Sequence, residues 1–303
     1  MNPLITILGP TASGKTKLAV LLAQQLDAEI ISADSRQVYK KLNIGTGKDL
    51  DEYGNIHYHL IDIIDPNHQY NVFQYRQDAE EVLRLLDNKG VQPILCGGTG
   101  FYIEAVLSGF NWVHVPPNEE IKRRYNSFTH EELFTKLNTL ELPENYRVDK
   151  SSKKRLIRAI EIAHYLNNKP KAAVIESTQK KSSIIFGLKL DPENRRKRIS
   201  DRLYDRLENG LWDEVKGLIE SGISPEKLKW FGLEYKYLTM AVEAPNQKEY
   251  FIQKLETEIH RYAKRQMTFF RKLERDGYQI HWIDAGISPN KQLECVLERL
   301  KGY

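Results

Sequence analysis

The segment Gly9–Thr16 carries the residues most directly suited to chemistry. It reads GPTASGKT and fits the pattern G-x-x-x-x-G-K-[ST], whose glycines let backbone N–H groups point inward around a phosphate. Lys15 supplies a positive charge for the phosphate oxygens, and the Thr16 hydroxyl is suited to help hold Mg²⁺. A strand is predicted to end at Leu8 and a helix to start near Gly14, where the helix N-terminus favours an anion. The segment therefore predicts a phosphate-binding loop.

Asp34 is the second candidate, and it follows an apolar run that ends at Ala33. Because the carboxyl ends of parallel strands share one edge of a sheet, we expect Asp34 to lie beside the phosphate-binding loop. A carboxylate there suits a base that handles an acceptor nucleophile, as in small-molecule kinases. An ordinary nucleoside triphosphatase would show a metal-organising Asp after its central strand, whereas Pro93–Cys96 leads into Gly97–Gly100. The alternative is an Asp that only caps a turn or helix.

Short apolar runs alternate with helical patterns in the first part of the chain, as in a parallel α/β sheet. The predicted strands are Leu4–Leu8, Glu29–Ser32, His59–Ile63, Pro93–Cys96, Ile184–Leu190 and Gln279–Ile283. In residues 116–182 no convincing buried strand occurs, and helical spacing with many Lys and Arg dominates. We therefore predict an α/β parallel-sheet core, residues 1–115 and 183–303, interrupted by a basic helical subdomain, residues 116–182.

Composition and charge narrow the class of protein. The 303 residues contain no apolar run of about 18, which a membrane span would need, and only two cysteines, too few for a disulfide framework or zinc cluster. The N-terminus leads straight into the first predicted strand and leaves no room for a signal peptide, so we expect a cytoplasmic protein. Residues 116–182 and 247–275 carry net charges of +5 and +4 within an overall +4. Two basic segments on an acidic body suggest a polyanionic partner, although a solvated helix surface explains either segment alone.

The segment Ile31–Tyr39 (ISADSRQVY) closely resembles the motif that follows the phosphate-binding loop in the tRNA dimethylallyltransferases, also known as tRNA isopentenyltransferases. Further similar segments follow in the family's order, at Asn43–Lys48, His59–Asp62, Asp65–Pro66, Tyr75–Ala79, Gly97–Thr99 and Arg261–Arg271. The series is far more specific than the loop alone. The zinc finger of eukaryotic members is absent, so the chain resembles the compact bacterial type.

The resemblance implies transfer of a dimethylallyl group from dimethylallyl diphosphate to N6 of the adenosine on the 3′ side of the tRNA anticodon, releasing diphosphate. The diphosphate would contact Gly9, Pro10, Thr11, Ala12, Ser13, Gly14, Lys15 and Thr16. Asp34 would accept the N6 proton from an adenosine flipped out of its stack. Thr11, Arg202 and a Mg²⁺ ion held by Thr16 would stabilise the negative charge that develops on the leaving diphosphate.

The resemblance also implies which residues contact tRNA. They are Asp34, Ser35, Arg36, Gln37, Thr99, Lys122, Arg124, Lys154, Arg155 and Arg158. Gln37 presents a donor and an acceptor, as the reading of an adenine edge requires, whereas the basic residues of the insertion suit phosphates. The implied partners are tRNA and dimethylallyl diphosphate, with no membrane, and we expect a monomer.

Two helices and two departures from the family complete the sequence-based picture. In a predicted Arg-rich helix the resemblance assigns Arg202 to the diphosphate, and for Arg206 we expect a solvated position beside acidic neighbours on the same helix. In the late basic helix we expect Tyr262, Phe269 and Phe270 to belong to the core. The family's Gly-Tyr-[Lys/Arg]-[Glu/Gln] is here Gly-Leu-Glu-Tyr, residues 232–235, and Ser152 stands where the family usually has Asp.

Three alternatives remain open from the sequence. A small-molecule kinase with a phosphate-binding loop would use Asp34 as base and would bind ATP. An isopentenyltransferase acting on free adenine nucleotides would need no basic insertion. An RNA-binding protein that has lost catalysis is disfavoured, because the loop, Asp34 and Arg202 are all present.

Overall fold

A six-stranded parallel sheet forms the centre of the computed structural model, which describes residues 3–108, 115–142, 148, 150–167 and 181–302. The strands are β1 Leu4–Leu8, β2 Ala28–Ser32, β3 Tyr58–His59, β4 Gln92–Gly97, β5 Ser183–Lys189 and β6 Ile280–Asp284. Their order is β3-β2-β4-β1-β5-β6, and every neighbouring pair is parallel. The α/β class with a parallel sheet is therefore confirmed.

The strand predicted over His59–Ile63 is wrong in its extent, because β3 contains only Tyr58 and His59. Leu60 and Asp62 have φ angles of 63° and 55°. Such left-handed backbone cannot continue an extended strand. The apolar run there instead packs as a loop against the sheet edge, with Leu60 and Ile61 buried.

Helices cover both faces of the sheet and extend beyond its carboxyl edge. They are α1 Lys15–Leu26, α2 Val72–Lys89, α3 Gly100–Leu107, α4 Glu119–Tyr125, α5 His130–Asn138, α6 Lys153–Asn167, α7 Pro192–Glu208, α8 Leu211–Glu220, α9 Pro225–Leu228, α10 Leu233–Glu243, α11 Lys248–Arg275 and α12 Pro289–Leu300, with 3₁₀ turns at Leu50–Tyr53 and Pro245–Gln247. Within the described ranges, none of these helices is both long and apolar enough to cross a membrane.

Alternation along β1 divides the core between the two faces. Ile5 and Ile7 pack towards α1 and α12, whereas Leu4 and Leu8 pack towards α2, α3 and α11. Because β1 is covered on both faces, all five of its residues are buried, and its one polar side chain, Thr6, has its hydroxyl 2.9 Å from that of Ser183. Phe270 of α11 is fully buried in the second layer, which confirms its predicted place in the core.

Helices α4 to α6 enclose an apolar cluster of their own, in which Tyr125, Leu133, Leu156 and Ile160 are buried. This cluster is separate from the two that cover the sheet and from a third one that is formed mainly by α7, α8, α10 and α11. Parts of the predicted insertion, at 143–147, 149 and 168–180, lie outside the described residues. Its bounds of 116–182 stay a prediction.

Candidate active site

A cavity of about 540 Å³ opens at the carboxyl edge of the sheet, where β1, β2 and β4 end. Its walls come from the loops after these strands and from α7, α10 and α11. The close approach of β2 and β4 requires glycine at position 97, because a Cβ there would lie 2.2 Å from the Ala33 carbonyl oxygen. Because the strands approach closely at this edge, the segments that follow β1, β2 and β4 all border the cavity.

The loop Gly9–Thr16 connects β1 to α1 and borders this cavity with Thr11, Lys15 and Thr16. Gly14 has a φ of 83°, which favours glycine just before the helix. The Ser13 hydroxyl oxygen is buried and has no hydrogen-bond partner among the described residues. Burial lowers the pKa of Lys15 below its ordinary value. A bound anion would supply partners for this hydroxyl and this ammonium group.

Gln266 of α11 holds the phosphate-binding loop through hydrogen bonds, and the residue types alone did not predict this contact. Its Oε1 accepts a hydrogen bond from the Thr11 backbone N–H at 2.9 Å, and its Nε2 donates to the Gly98 carbonyl at 2.8 Å. Gln266 is buried. It lies inside the late motif Arg261–Arg271, which is the only sequence signal that points to it.

Asp34 follows β2 and borders the same cavity as the loop. The Arg36 N–H donates to its Oδ1 at 2.9 Å, and within the described chain its Oδ2 accepts no hydrogen bond. Beside it, the Ser35 N–H donates to the Thr99 hydroxyl oxygen at 3.0 Å. Thus three residues expected to meet the acceptor, Asp34, Ser35 and Thr99, form one connected group on the cavity wall.

Gln37 also borders the cavity, and both ends of its amide already bind protein. Its Oε1 accepts from the Ser32 hydroxyl at 2.9 Å, and its Nε2 donates to the Gly47 carbonyl at 2.9 Å. A side-chain amide has two donors and two acceptor sites. One of each therefore remains, with the group's orientation fixed by Ser32 and Gly47.

Arg202 and Arg206 of α7 share the carboxylate of Asp49, a residue that the sequence did not single out. Arg202 hydrogen-bonds Asp49 Oδ2, and Arg206 Nη2 lies 2.8 Å from Asp49 Oδ1. The solvated position expected for Arg206 is therefore wrong, since its side chain is only 13% exposed. Burial raises the pKa of Asp49, but the two guanidinium groups outweigh this effect and lower it overall, so the carboxylate is ionised.

Arg202 borders the cavity, whereas Asp49 and Arg206 do not. No chemical pattern marked Asp49, because its partners are more than 150 positions away along the chain. Glu234, which occupies the basic position of the altered family motif, also borders the cavity. Burial raises the pKa of its carboxyl, while Arg206 and Arg202 oppose that shift.

Tyr262 does not belong to the core as predicted, because it is only half-buried and borders the cavity. Its hydroxyl interacts with Thr99, and burial raises its pKa. Phe269 is partly buried and packs against the second layer of the core. The late basic helix α11 thus turns one side to the cavity and another to the sheet.

The five basic residues of the insertion expected to contact tRNA lie away from the cavity. They are Lys122, Arg124, Lys154, Arg155 and Arg158, on α4 and α6. Arg158 contacts its own helix and the segment before α4, since its Nη1 lies 3.0 Å from Oε2 of the buried Glu161 and its Nη2 donates to the Val115 carbonyl at 2.5 Å. Arg155 and Lys154 are exposed, and Arg155 donates to the Ser151 hydroxyl at 2.8 Å.

The residues present fit a magnesium ion bound mainly through phosphate. Within the described part of the chain, no three or more His, Cys, Asp or Glu side chains are grouped to hold a metal. Mg²⁺ commonly takes one or two protein oxygens together with substrate phosphates and water. Thr16, a hard oxygen donor beside Lys15 on the cavity wall, meets that need.

Comparison with known proteins agrees with this fold and cavity. The family model of the IPP transferases matches residues 37–273, and that of the isopentenyl transferases matches residues 2–55. Because the chain matches these two prenyltransferase families and contains a parallel sheet covered by helices, it is an α/β prenyltransferase. The curated tRNA dimethylallyltransferase 2 of Porphyromonas gingivalis is 48% identical, and the match covers 97% of this chain and 98% of that protein. The curated tRNA dimethylallyltransferase 1 of Parabacteroides distasonis is 47% identical, and the match covers 98% of this chain and 97% of that protein. The protein belongs to the tRNA dimethylallyltransferase family.

A solved structure supports the same assignment. The tRNA isopentenylpyrophosphate transferase of Bacillus halodurans superposes with a TM-score of 0.72 at 30% identity, and the match covers 100% of this chain and 96% of that one. Similarity thus extends over the whole length of this chain.

Proposed function

We propose that this enzyme transfers the dimethylallyl group of dimethylallyl diphosphate to N6 of the adenosine 3′ to the anticodon in tRNA. One observation carries the proposal beyond family membership: Asp34 and the phosphate-binding loop border the same cavity. A proton acceptor and an anion cradle that face one space are what transfer from a diphosphate to a weakly basic amine requires.

The donor end of the cavity is the loop with Arg202. Backbone N–H groups of the loop Gly9–Thr16, other than that of Thr11, would bind the diphosphate oxygens together with the Lys15 ammonium and the Arg202 guanidinium. A magnesium ion on Thr16 and the diphosphate would supply further positive charge for the leaving group. Thr11, held by Gln266, would donate to the oxygen that separates from the allylic carbon.

The acceptor end is the group around Asp34. Its Oδ2, which accepts no hydrogen bond within the described chain, would receive one from the N6 amine. As the N6–carbon bond forms, the carbon–oxygen bond of the donor breaks, diphosphate leaves with that electron pair, and the N6 proton passes to Asp34. Ser35, Gln37 and Thr99 would hold the flipped adenine ring in place. Lys122, Arg124, Lys154, Arg155 and Arg158 would approach the tRNA backbone.

Titration calorimetry with Mg²⁺ tests the donor. We expect dimethylallyl diphosphate to bind much more tightly than ATP, because the strand leading to Gly97–Gly100 offers no metal-organising carboxylate. Tight ATP binding with rapid hydrolysis would favour the kinase alternative instead.

Mass spectrometry of nucleosides tests the acceptor. Purified enzyme, donor and unmodified tRNA should yield N6-dimethylallyladenosine, while AMP under the same conditions should stay unmodified. Modification of AMP but not of tRNA would favour an isopentenyltransferase that acts on free adenine nucleotides.

We further propose that the enzyme acts in the cytoplasm, where its tRNA substrate is found, and that it acts as a monomer. Light scattering at assay concentration should give the mass of one 35.3 kDa chain. A dimeric mass would contradict the monomer.

A further inference from the structure

Trp230 presents a large aromatic ring at the rim of the cavity. Its side chain is 50% exposed, and it is the one exposed large apolar residue of the described chain that also borders the cavity. A single exposed aromatic residue needs no explanation by itself. Trp230 does require an explanation, because it lies beside the cavity that an adenosine would enter.

The ring is held firmly from below. It meets the buried rings of Tyr39 and Phe231 edge-on, with centroid distances of 6.3 Å and 5.8 Å and interplanar angles of 80° and 78°. The Trp230 backbone N–H also donates to the Lys227 carbonyl at 3.0 Å, in the turn after α9. A side chain already fixed in this way loses little conformational freedom when a ligand covers it.

One face of the ring meets a cation that belongs to the acceptor group. The Arg36 guanidinium carbon lies 5.4 Å from the centroid of the Trp230 ring, and the Arg36 N–H holds Asp34. Lys236 and Arg265 also border the cavity. An aromatic face among Lys and Arg side chains is the usual composition of a surface that binds unpaired nucleic-acid bases.

We propose that Trp230, with Arg36, forms a stacking platform for the nucleobase next to the target adenosine. This inference rests on the proposed function, in which that adenosine leaves its stack to reach Asp34. The neighbouring base then loses a stacking partner, and a fixed aromatic face at the rim replaces it. Binding of the base to the platform favours the flipped form of the RNA over the stacked form.

The first experiment measures anisotropy of a fluorescent anticodon stem-loop RNA with wild type, Trp230→Leu and Trp230→Phe. Leucine keeps apolar surface but removes the aromatic face, so we expect affinity to fall about 5- to 150-fold, the range typical of base–aromatic stacking. Phenylalanine should stay within about threefold of wild type. The salt dependence should be the same in all three, because stacking releases no counterions.

Phe101→Ala is the matched control, since Phe101 is 49% exposed but does not border the cavity, and its RNA affinity should equal that of wild type. Melting temperatures of all variants test folding, and calorimetry with inorganic diphosphate tests the donor end, which should be unchanged.

The second experiment replaces the base on the 5′ or 3′ side of the target with an abasic site. For one of these RNAs, wild type and Trp230→Leu should bind alike, which identifies the stacked base. Equal affinity of wild type and Trp230→Leu for the intact RNA, or an undiminished difference with both abasic RNAs, would overturn the platform alone. Failure of wild type to bind or modify any RNA would remove the proposed function and the platform together.

Discussion

Helices α6 and α7 both carry arginines about one turn apart, yet their surroundings differ. On α7, Arg202 and Arg206 share Asp49, which comes from a different part of the chain. On α6, Arg155 is exposed, and Ser151, to which it donates, lies one turn away on the approach to the same helix. An arginine becomes part of a defined ligand site where another element supplies a countercharge that orients it. An arginine that is exposed, as Arg155 is, contributes charge to a surface.

The largest effect should come from Asp34, at the acceptor end of the cavity. Asp34→Asn keeps the size and a hydrogen-bonding oxygen but cannot take the proton, so we expect kcat to fall about 10²- to 10⁴-fold. Affinities for donor and tRNA should change less than about tenfold. Single-turnover rates and melting temperatures measured on the same variant separate a base from a turn cap. A folded variant with wild-type turnover would remove Asp34 from the mechanism.

Asp49 tests whether the countercharge matters to the arginine that faces the cavity. Asp49→Asn removes the charge that orients Arg202, so we expect KM for dimethylallyl diphosphate to rise about tenfold, or about 1.4 kcal/mol, with a smaller change in kcat. Asp51→Asn is the control, because Asp51 lies exposed in the 3₁₀ turn that directly follows Asp49. Equal KM values for the two variants would show that Arg202 needs no such support.

Arg158 should affect stability more than RNA binding, which separates it from its neighbour Arg155. Arg158→Ala leaves the carboxylate of Glu161, whose side chain is 1% exposed, without this partner. Because the guanidinium is 31% exposed and partly screened, we expect a loss of about 1–3 kcal/mol in the free energy of unfolding. Urea denaturation measures it. An unchanged midpoint would contradict a structural role.

Arg155 should give the smallest change, visible in the salt dependence of tRNA binding. Arg155→Ala should reduce the slope of log K against log salt by roughly 0.7–0.9, the value for one phosphate contact, without altering the melting temperature. Diphosphate binding should be unaffected, because Arg155 lies away from the cavity. A slope equal to that of wild type would assign Arg155 to ordinary surface charge.

Local sequence was sufficient for the parts of the molecule that depend on local geometry. The loop Gly9–Thr16 and the strands β1 and β4 follow from glycine spacing and apolar runs, which act over a few residues. Asp34 could be placed at the cavity because parallel strands end at one edge. The extent of β3 could not be predicted, since it depends on left-handed backbone at Leu60 and Asp62.

Only the tertiary structure decided which distant side chains meet. Asp49 joins Arg206, Gln266 joins Thr11, and Trp230 lies under Arg36, across separations of more than 150 positions in each case. The sequence determined the fold class, the phosphate-binding loop and the carboxylate beside it, because these features depend on patterns of residues that are close together in the chain. The partners that orient these groups were decided by the packing of α7, α10 and α11 around the sheet edge. An ion pair or a ring contact forms wherever folding brings complementary groups within contact distance. The spacing of residues along the chain therefore does not predict which distant groups will meet.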